Sequence, residues 1–163
     1  MKNSVFCENK YDGDLPIDIE NIEKLSCEML DFALKNAVNP DFLNSYDYNF
    51  EILLCDDNFI HQINRDYRQI DRPTDVITFA LFADNDNKLI IDNTINLGQI
   101  IISIDKTIKQ AKENEIPPEN ELLNLLAHGI LHLLGIDHPT EEDLEKMLEI
   151  QNKMIESTNY VKI

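Results

Sequence analysis

Basic side chains are scarce in this sequence: 14 Lys and Arg stand against 31 Asp and Glu, a formal net charge of −17. So acidic a surface repels phosphates and forgoes the counterion release that drives indiscriminate binding of polyanions. Long apolar runs are missing as well. No stretch approaches the roughly 20 residues that span a membrane, and the opening MKNSVFCENKYDGDL is too polar and acidic for a secretory signal. A cytoplasmic protein with no membrane partner is therefore expected. Only three cysteines occur, Cys7, Cys27 and Cys55, widely spaced and without a CxxC pair. That pattern argues against both a disulfide framework and a thiolate zinc site. Internal repeats, low-complexity tracts and linkers are absent too. The 163 residues, 43% of them hydrophobic, are expected to form one domain, 1–163, with its own core.

The few positive charges are unevenly placed. Residues 1–60 carry a net −9 and residues 113–163 a net −8, whereas residues 61–112 are neutral. The neutral third also holds every arginine in the chain, Arg65, Arg68 and Arg72, within eight residues. Any contact with phosphate is expected there.

Apolar spacing through IDIENIEKLSCEMLDFALKNAV, with Ile22, Leu25, Met29, Phe32 and Ala33 on one face, predicts a helix that stops before Asn39-Pro40. YNFEILLCD reads as a strand. DDNFIHQINRDYR follows as a helix behind an Asp start signal, with Phe59, Ile60, Ile63 and Tyr67 on one stripe. DVITFALF, KLIID and LGQIIIS are rich in β-branched or apolar residues and predict further strands, and NSVFCE adds a candidate edge strand. DKTIKQAKEN returns to helical spacing, and ELLNLLAHGILHLL is apolar around most of its circumference, as a buried helix is. Thr140 and the acids after it open a last helix with a stripe at Leu144, Met147, Leu148, Met154 and Ile155. The mixture predicts an α+β (αβα) fold, with helices packed on a mixed sheet of four or five strands.

Three of the four histidines fall within residues 128–138, HGILHLLGIDH. On a helix, His128 and His132 at i and i+4 share a face and can aim at one point. Gly135 stands where a helix C-terminus favours a left-handed residue, and a turn there would return His138 to the same point. A single histidine on an apolar helix ordinarily finds its own hydrogen-bond partner. Three in an apolar run would each need one, at a cost of about 1–3 kcal/mol if unmet, and a single metal satisfies all three. Three imidazoles with an open fourth position suit a catalytic Zn²⁺, one per chain. Asp137 could support a histidine, orient the turn or be solvated. His61, on the polar side of its helix, is expected to stand apart. The spacing also matches the HExxHxxGxxH protease pattern except at Gly129, where those enzymes carry the glutamate that acts as general base. The metal frame is kept and the peptidase chemistry is not.

Three segments, NRDYRQIDRPTDVITF (64–79), LGQIIIS (97–103) and HGILHLLGIDH (128–138), resemble in order and distance those of the YbeY family of bacterial metal-dependent endoribonucleases. That resemblance implies an αβα arrangement, zinc held by His128, His132 and His138, and Arg68 in the same cleft as a catalytic or RNA-binding group. It further implies a role in 16S rRNA 3′-end maturation and ribosome quality control. Departures from the family pattern fall at Thr78-Phe79-Ala80, at Gln99 in place of an acid, and at Ile136 in place of a common Tyr. None removes a ligand.

The chemistry is compatible with RNA cleavage. Zinc can polarise a phosphoryl oxygen or acidify its water, and the RNA's own 2′-hydroxyl is a second possible nucleophile. Arg68 would clamp a phosphate bidentately, with Arg65 or Arg72 helping to hold single-stranded RNA. The net charge of −17 leads to the expectation that a ribosomal protein or another assembly factor delivers the rRNA. Two other readings stand beside this one: an assembly factor with a structural zinc and negligible nuclease activity, and a metallopeptidase-like hydrolase, which Gly129 disfavours.

Overall fold

A computed structural model describes residues 3–37, 46–86 and 88–160. Its elements in chain order are β1 (Asn3–Asn9), α1 (Ile19–Asn36), β2 (Asp47–Cys55), α2 (Asp57–Arg68), β3 (Val76–Phe79), β4 (Thr94–Ser103), α3 (Ile104–Glu113), α4 (Pro118–Leu133) and α5 (Glu141–Ser157). The strands lie in the order β1-β2-β4-β3. β1 and β4 run parallel to β2, whereas β3 runs antiparallel to β4. The sheet is mixed and four-stranded, as the sequence leads one to expect.

Alternation along β2 and β4 explains the three layers. Ile52, Leu54, Ile100 and Ile102 point into the larger core, which they share with α1, α4 and α5. Leu53, Cys55, Ile77 and Ile101 point the other way, to a smaller cluster under Ile60 of α2. A strand covered on both faces is apolar at every position, which is why EILLC and IIIS read as continuous runs. α4 is the buried centre of the larger layer, with Leu122, Leu123, Leu126, Ile130 and Leu131 fully inaccessible. Pro118 at its first turn sets the helix going one turn earlier than the apolar run suggests.

Two sequence expectations are corrected. KLIID (88–92) does not form a strand: Ile91 makes only an isolated bridge to Thr94, around a two-residue turn in which Asp92 and Asn93 both have positive φ. Leu89, Ile90 and Ile91 are exposed, and without a face to bury a lone bridge does not propagate into a ladder. DVITFALF is a strand only over Val76–Phe79, after which residues 81–84 turn and Phe82 tucks into the core. The helical stripes are also narrower than their spacing suggests. Tyr67 is 68% exposed because α2 covers only the small cluster, and Leu148 of α5 is 44% exposed beside a cleft. The expected helix stop at Asn39-Pro40 lies outside the described residues.

Candidate metal centre

α4 ends in a motif that both stops the helix and redirects the chain. The Gly135 N–H donates to the His132 carbonyl at 3.0 Å and the Ile136 N–H to the Leu131 carbonyl at 3.0 Å. Gly135 takes φ +84°, the left-handed conformation that this pair of bonds requires. Ile136 packs back on the core, so the chain doubles over the helix end and carries His138 toward His128 and His132. The Asp137 carboxylate accepts the His138 backbone N–H at 2.8 Å, which places it in the turn that positions His138.

The three rings converge. Their centroids lie 4.5 Å apart for His128 and His132, 5.3 Å for His128 and His138, and 5.4 Å for His132 and His138. One ligand atom from each falls within 4.8 Å of the others. Among the described residues no cysteine or carboxylate joins the group. Cys7 and Cys55 are buried elsewhere, and desolvation pushes each thiol up to about 12, far from the thiolate a metal requires.

Hydrogen bonding behind the rings decides whether they suit a metal. His128 Nδ1 lies 2.6 Å from the Gln151 Oε1 on α5. An amide oxygen only accepts, so Nδ1 carries the proton and Nε2 presents a lone pair. That Nε2 is 2.9 Å from the Nε2 of His132. Two imidazole nitrogens thus face each other at a separation that is unfavourable unless a cation or proton lies between them. Burial, and after it the neighbouring His128 and His138, lower the His132 pKa; Asp137 and the Ile136 backbone oppose this less strongly. The ring is neutral at pH 7, the form that a metal ligand needs. The residues present therefore fit a metal ion, and Gln151 supplies the outer support that orients such ligands.

Gln151 escapes a reading by motif, since it lies 13 residues beyond His138. It did leave a signal: it is a glutamine at a position where the α5 stripe, between Met147 and Met154, calls for an apolar residue, and it is only 4% exposed. Gly129 acquires a second meaning. A Cβ there would sit 2.9 Å from Ile100 Cδ1 and 3.0 Å from its Cγ2, so the glycine lets α4 approach β4 closely, and its position faces the sheet rather than the histidines.

Among the described residues the arginines form no hydrogen bond or ion pair with this cluster. Arg68 is exposed at the last residue of α2, which Gln69 ends at φ +57°. Among the described residues neither Arg68 nor Arg72 forms an ion pair, whereas Arg65 meets Asp66 at 3.4 Å. None of the three lines the cleft beside His128. The link is indirect: Tyr67 stacks edge-on against Phe79 of β3 at 5.9 Å, and β3 packs on α4. His61 pairs with Asp71 at 2.8 Å, outside the cluster.

This is an α+β protein whose central helix and the turn after it gather three imidazoles that could hold a metal ion. Comparison with known proteins narrows that class. A family model described as Endoribonuclease YbeY matches residues 7–159. A relative of that name from Caldicellulosiruptor bescii is 34% identical over 159 residues, covering 94% of this chain and 96% of the relative. Another, from Syntrophotalea carbinolica, is 42% identical over 136 residues, covering 80% and 87%. A solution structure from Thermotoga maritima aligns with a TM-score of 0.61 at 26% identity over 94% of this chain and 88% of that one. The chain belongs to the Endoribonuclease YbeY family. No helix among the described residues is long and apolar enough to cross a membrane.

Proposed function

We propose that this chain is a zinc-dependent endoribonuclease that cuts single-stranded RNA in 16S rRNA 3′-end maturation and late ribosome quality control. The observation that carries this reading is the convergence of His128, His132 and His138 within 4.8 Å, with no fourth protein ligand among the described residues. A structural zinc is ordinarily closed by four protein ligands, and a catalytic one keeps a position open. When bound, the ion supplies Lewis-acid polarisation at a phosphoryl oxygen.

The chain's own residues supply the rest. Gln151 holds His128 in the tautomer that leaves Nε2 free, and the turn at Gly135 brings His138 to the open side of α4. Arg68 acts as the phosphate clamp, its guanidinium in no ion pair among the described residues and offering two parallel N–H donors to one phosphate. Arg72 and Arg65 extend the same neutral stretch and hold the strand, Arg65 only after releasing Asp66. The chain's net charge of −17 limits its affinity for free RNA, and a ribosomal protein or assembly factor delivers the substrate.

Cleavage of a single-stranded RNA by the zinc-loaded protein tests this, with and without chelator and with His132→Ala and Arg68→Ala. Chelator and His132→Ala are expected to abolish cleavage, and Arg68→Ala to lower it about a hundredfold, the usual cost of one lost charge-stabilising donor. Undiminished cleavage by both variants would assign the activity to a contaminant and remove the proposal.

A further inference from the structure

Beside the histidines lies an open cleft of about 430 Å³, walled by α3, α4, α5 and the start of β3. That size is ordinary for small-molecule sites, which run from roughly 300 to 1,000 Å³. It shares His128 and Gln151 with the metal centre, so whatever occupies it is held next to the reacting position. No lysine or arginine lines it, whereas the carboxyls of Asp75 and Glu121 do. A phosphate is repelled from such walls, and the cleft takes an uncharged part of the substrate.

Distance separates two roles for Glu121. It precedes His128 by seven residues on one face of α4, a rise of about 10 Å. A proton donor or acceptor must lie about 3 Å from its target, or one water further. Glu121 is too remote to serve a group held at the histidines. The same span suits a base attached to a nucleotide whose phosphate sits there.

The polar groups are fixed and incompletely used. Asp75 Oδ1 accepts the Val76 N–H at 2.8 Å and its Oδ2 accepts the Gln110 Nε2 at 3.2 Å, which hold the carboxylate still while leaving lone pairs over. Glu121 is only 8% exposed, its pKa raised by burial and drawn back by a hydrogen bond from Asn124. Gln151 gives its Oε1 to His128, and its amide NH₂ has no hydrogen-bond partner among the described residues and belongs to the wall of the cleft. Leu125 and the exposed Leu148 add apolar surface for a flat ring.

We propose that this cleft is a nucleobase subsite that receives the base of a nucleotide flanking the scissile phosphate and prefers bases bearing an exocyclic amino group. Glu121 and Asp75 accept from that amino group, and the Gln151 amide donates to a ring nitrogen or carbonyl of the same base. Uracil, which turns carbonyls toward two carboxyls, is the disfavoured base. The inference rests on the endoribonuclease reading for its substrate but not for its first test.

That test titrates the zinc-loaded protein with adenosine, cytidine and uridine, which carry no phosphate, while following the Asn124 and Asn152 side-chain amides by NMR. Adenosine and cytidine are expected to shift both signals with uridine about tenfold weaker, the worth of a hydrogen bond to a charged group. Glu121→Gln, which carries a donor and an acceptor, is expected to erase most of that ratio. If Glu121→Gln fails to fold, Asn152→Ala on the exposed rim is expected to weaken adenosine binding several-fold. Sequencing the ends produced from a randomised single-stranded RNA then reads the preference in cleavage, with uracil depleted about tenfold at one position beside the cut. Selective nucleoside binding without RNA cleavage would keep the subsite and remove the endoribonuclease reading. Cleavage without base preference, or nucleosides at millimolar concentration that leave both amides unmoved, would overturn the subsite alone.

Discussion

Replacing Gln151 by leucine separates what this residue does for the fold from what it does for the metal. In the native protein its Oε1 lies 2.6 Å from His128 Nδ1. Without that acceptor the half-buried Nδ1–H is left unmatched, at a cost of about 1–3 kcal/mol. The ring then escapes by moving its proton to Nε2, which places an N–H where the lone pair should face the site. Loss of such an outer partner typically weakens metal binding 10- to 100-fold, or about 1.4–2.7 kcal/mol. Leucine also completes the α5 apolar stripe, and burying its side chain returns about 1.5–3 kcal/mol. The two effects oppose each other in the metal-free protein, whose unfolding temperature should change by only a few degrees. They do not oppose each other in zinc affinity, which should fall 10- to 100-fold by chelator competition. Gln151→Glu keeps an acceptor and should retain most of the affinity. Zinc binding by Gln151→Leu as tight as that of the native protein would refute the assignment of the His128 tautomer.

Gly129→Ala should lower stability by about 1 kcal/mol, as overpacking of about 1–3 kcal/mol against Ile100 exceeds the roughly 1 kcal/mol gained in helix propensity. Denaturant titration should show Ile100→Val recovering part of that loss in the double variant, and simple additivity would contradict the close contact. Gly129→Glu should unfold the protein or displace α4 from β4 without creating peptidase activity. Because the folded-state pKa of Glu121 is raised, the native state holds its proton more firmly than the unfolded chain does. Stability from this group is present below about pH 4.5, the ordinary value of a glutamate, and is lost as pH rises through the folded value. Glu121→Gln should therefore be the more stable protein at pH 7, with thermal melts converging toward pH 4.5. For His132 the folded pKa is lowered, so NMR on the metal-free protein should place the protonation midpoint of this ring below the ordinary value of about 6.5, and a midpoint above it would contradict the shift.

The parts of the site that the sequence made legible are those built by local geometry. A separation of four residues on a helix fixes the relation of His128 to His132, and Gly135 followed by Ile136 encodes the turn that returns His138. Gln151 was not legible, because its role depends on how α5 packs on α4, a tertiary contact spanning 23 residues from His128. The cleft was hidden for the same reason: the segment before β3, helix α3 and helix α4 bring Asp75, Gln110 and Glu121 together. Strand character was legible in β2 and β4, which are covered on both faces. It misled at KLIID, where apolar β-branched residues have no neighbouring surface and stay exposed around a tight turn. Gly129 was read for the side chain it lacks at the site, and packing against Ile100 supplies the physical reason that no side chain fits there.

X-ray absorption on the purified zinc-loaded protein, with metal stoichiometry measured on the same sample, shows whether three histidines alone hold the ion. One zinc per chain is expected, with three imidazole nitrogens at about 2.0–2.1 Å and no sulfur or further protein ligand in the shell. His132→Ala should lose the ion. A fourth protein ligand, or full zinc occupancy without His132, would contradict a site built from His128, His132 and His138 with one position kept open for substrate.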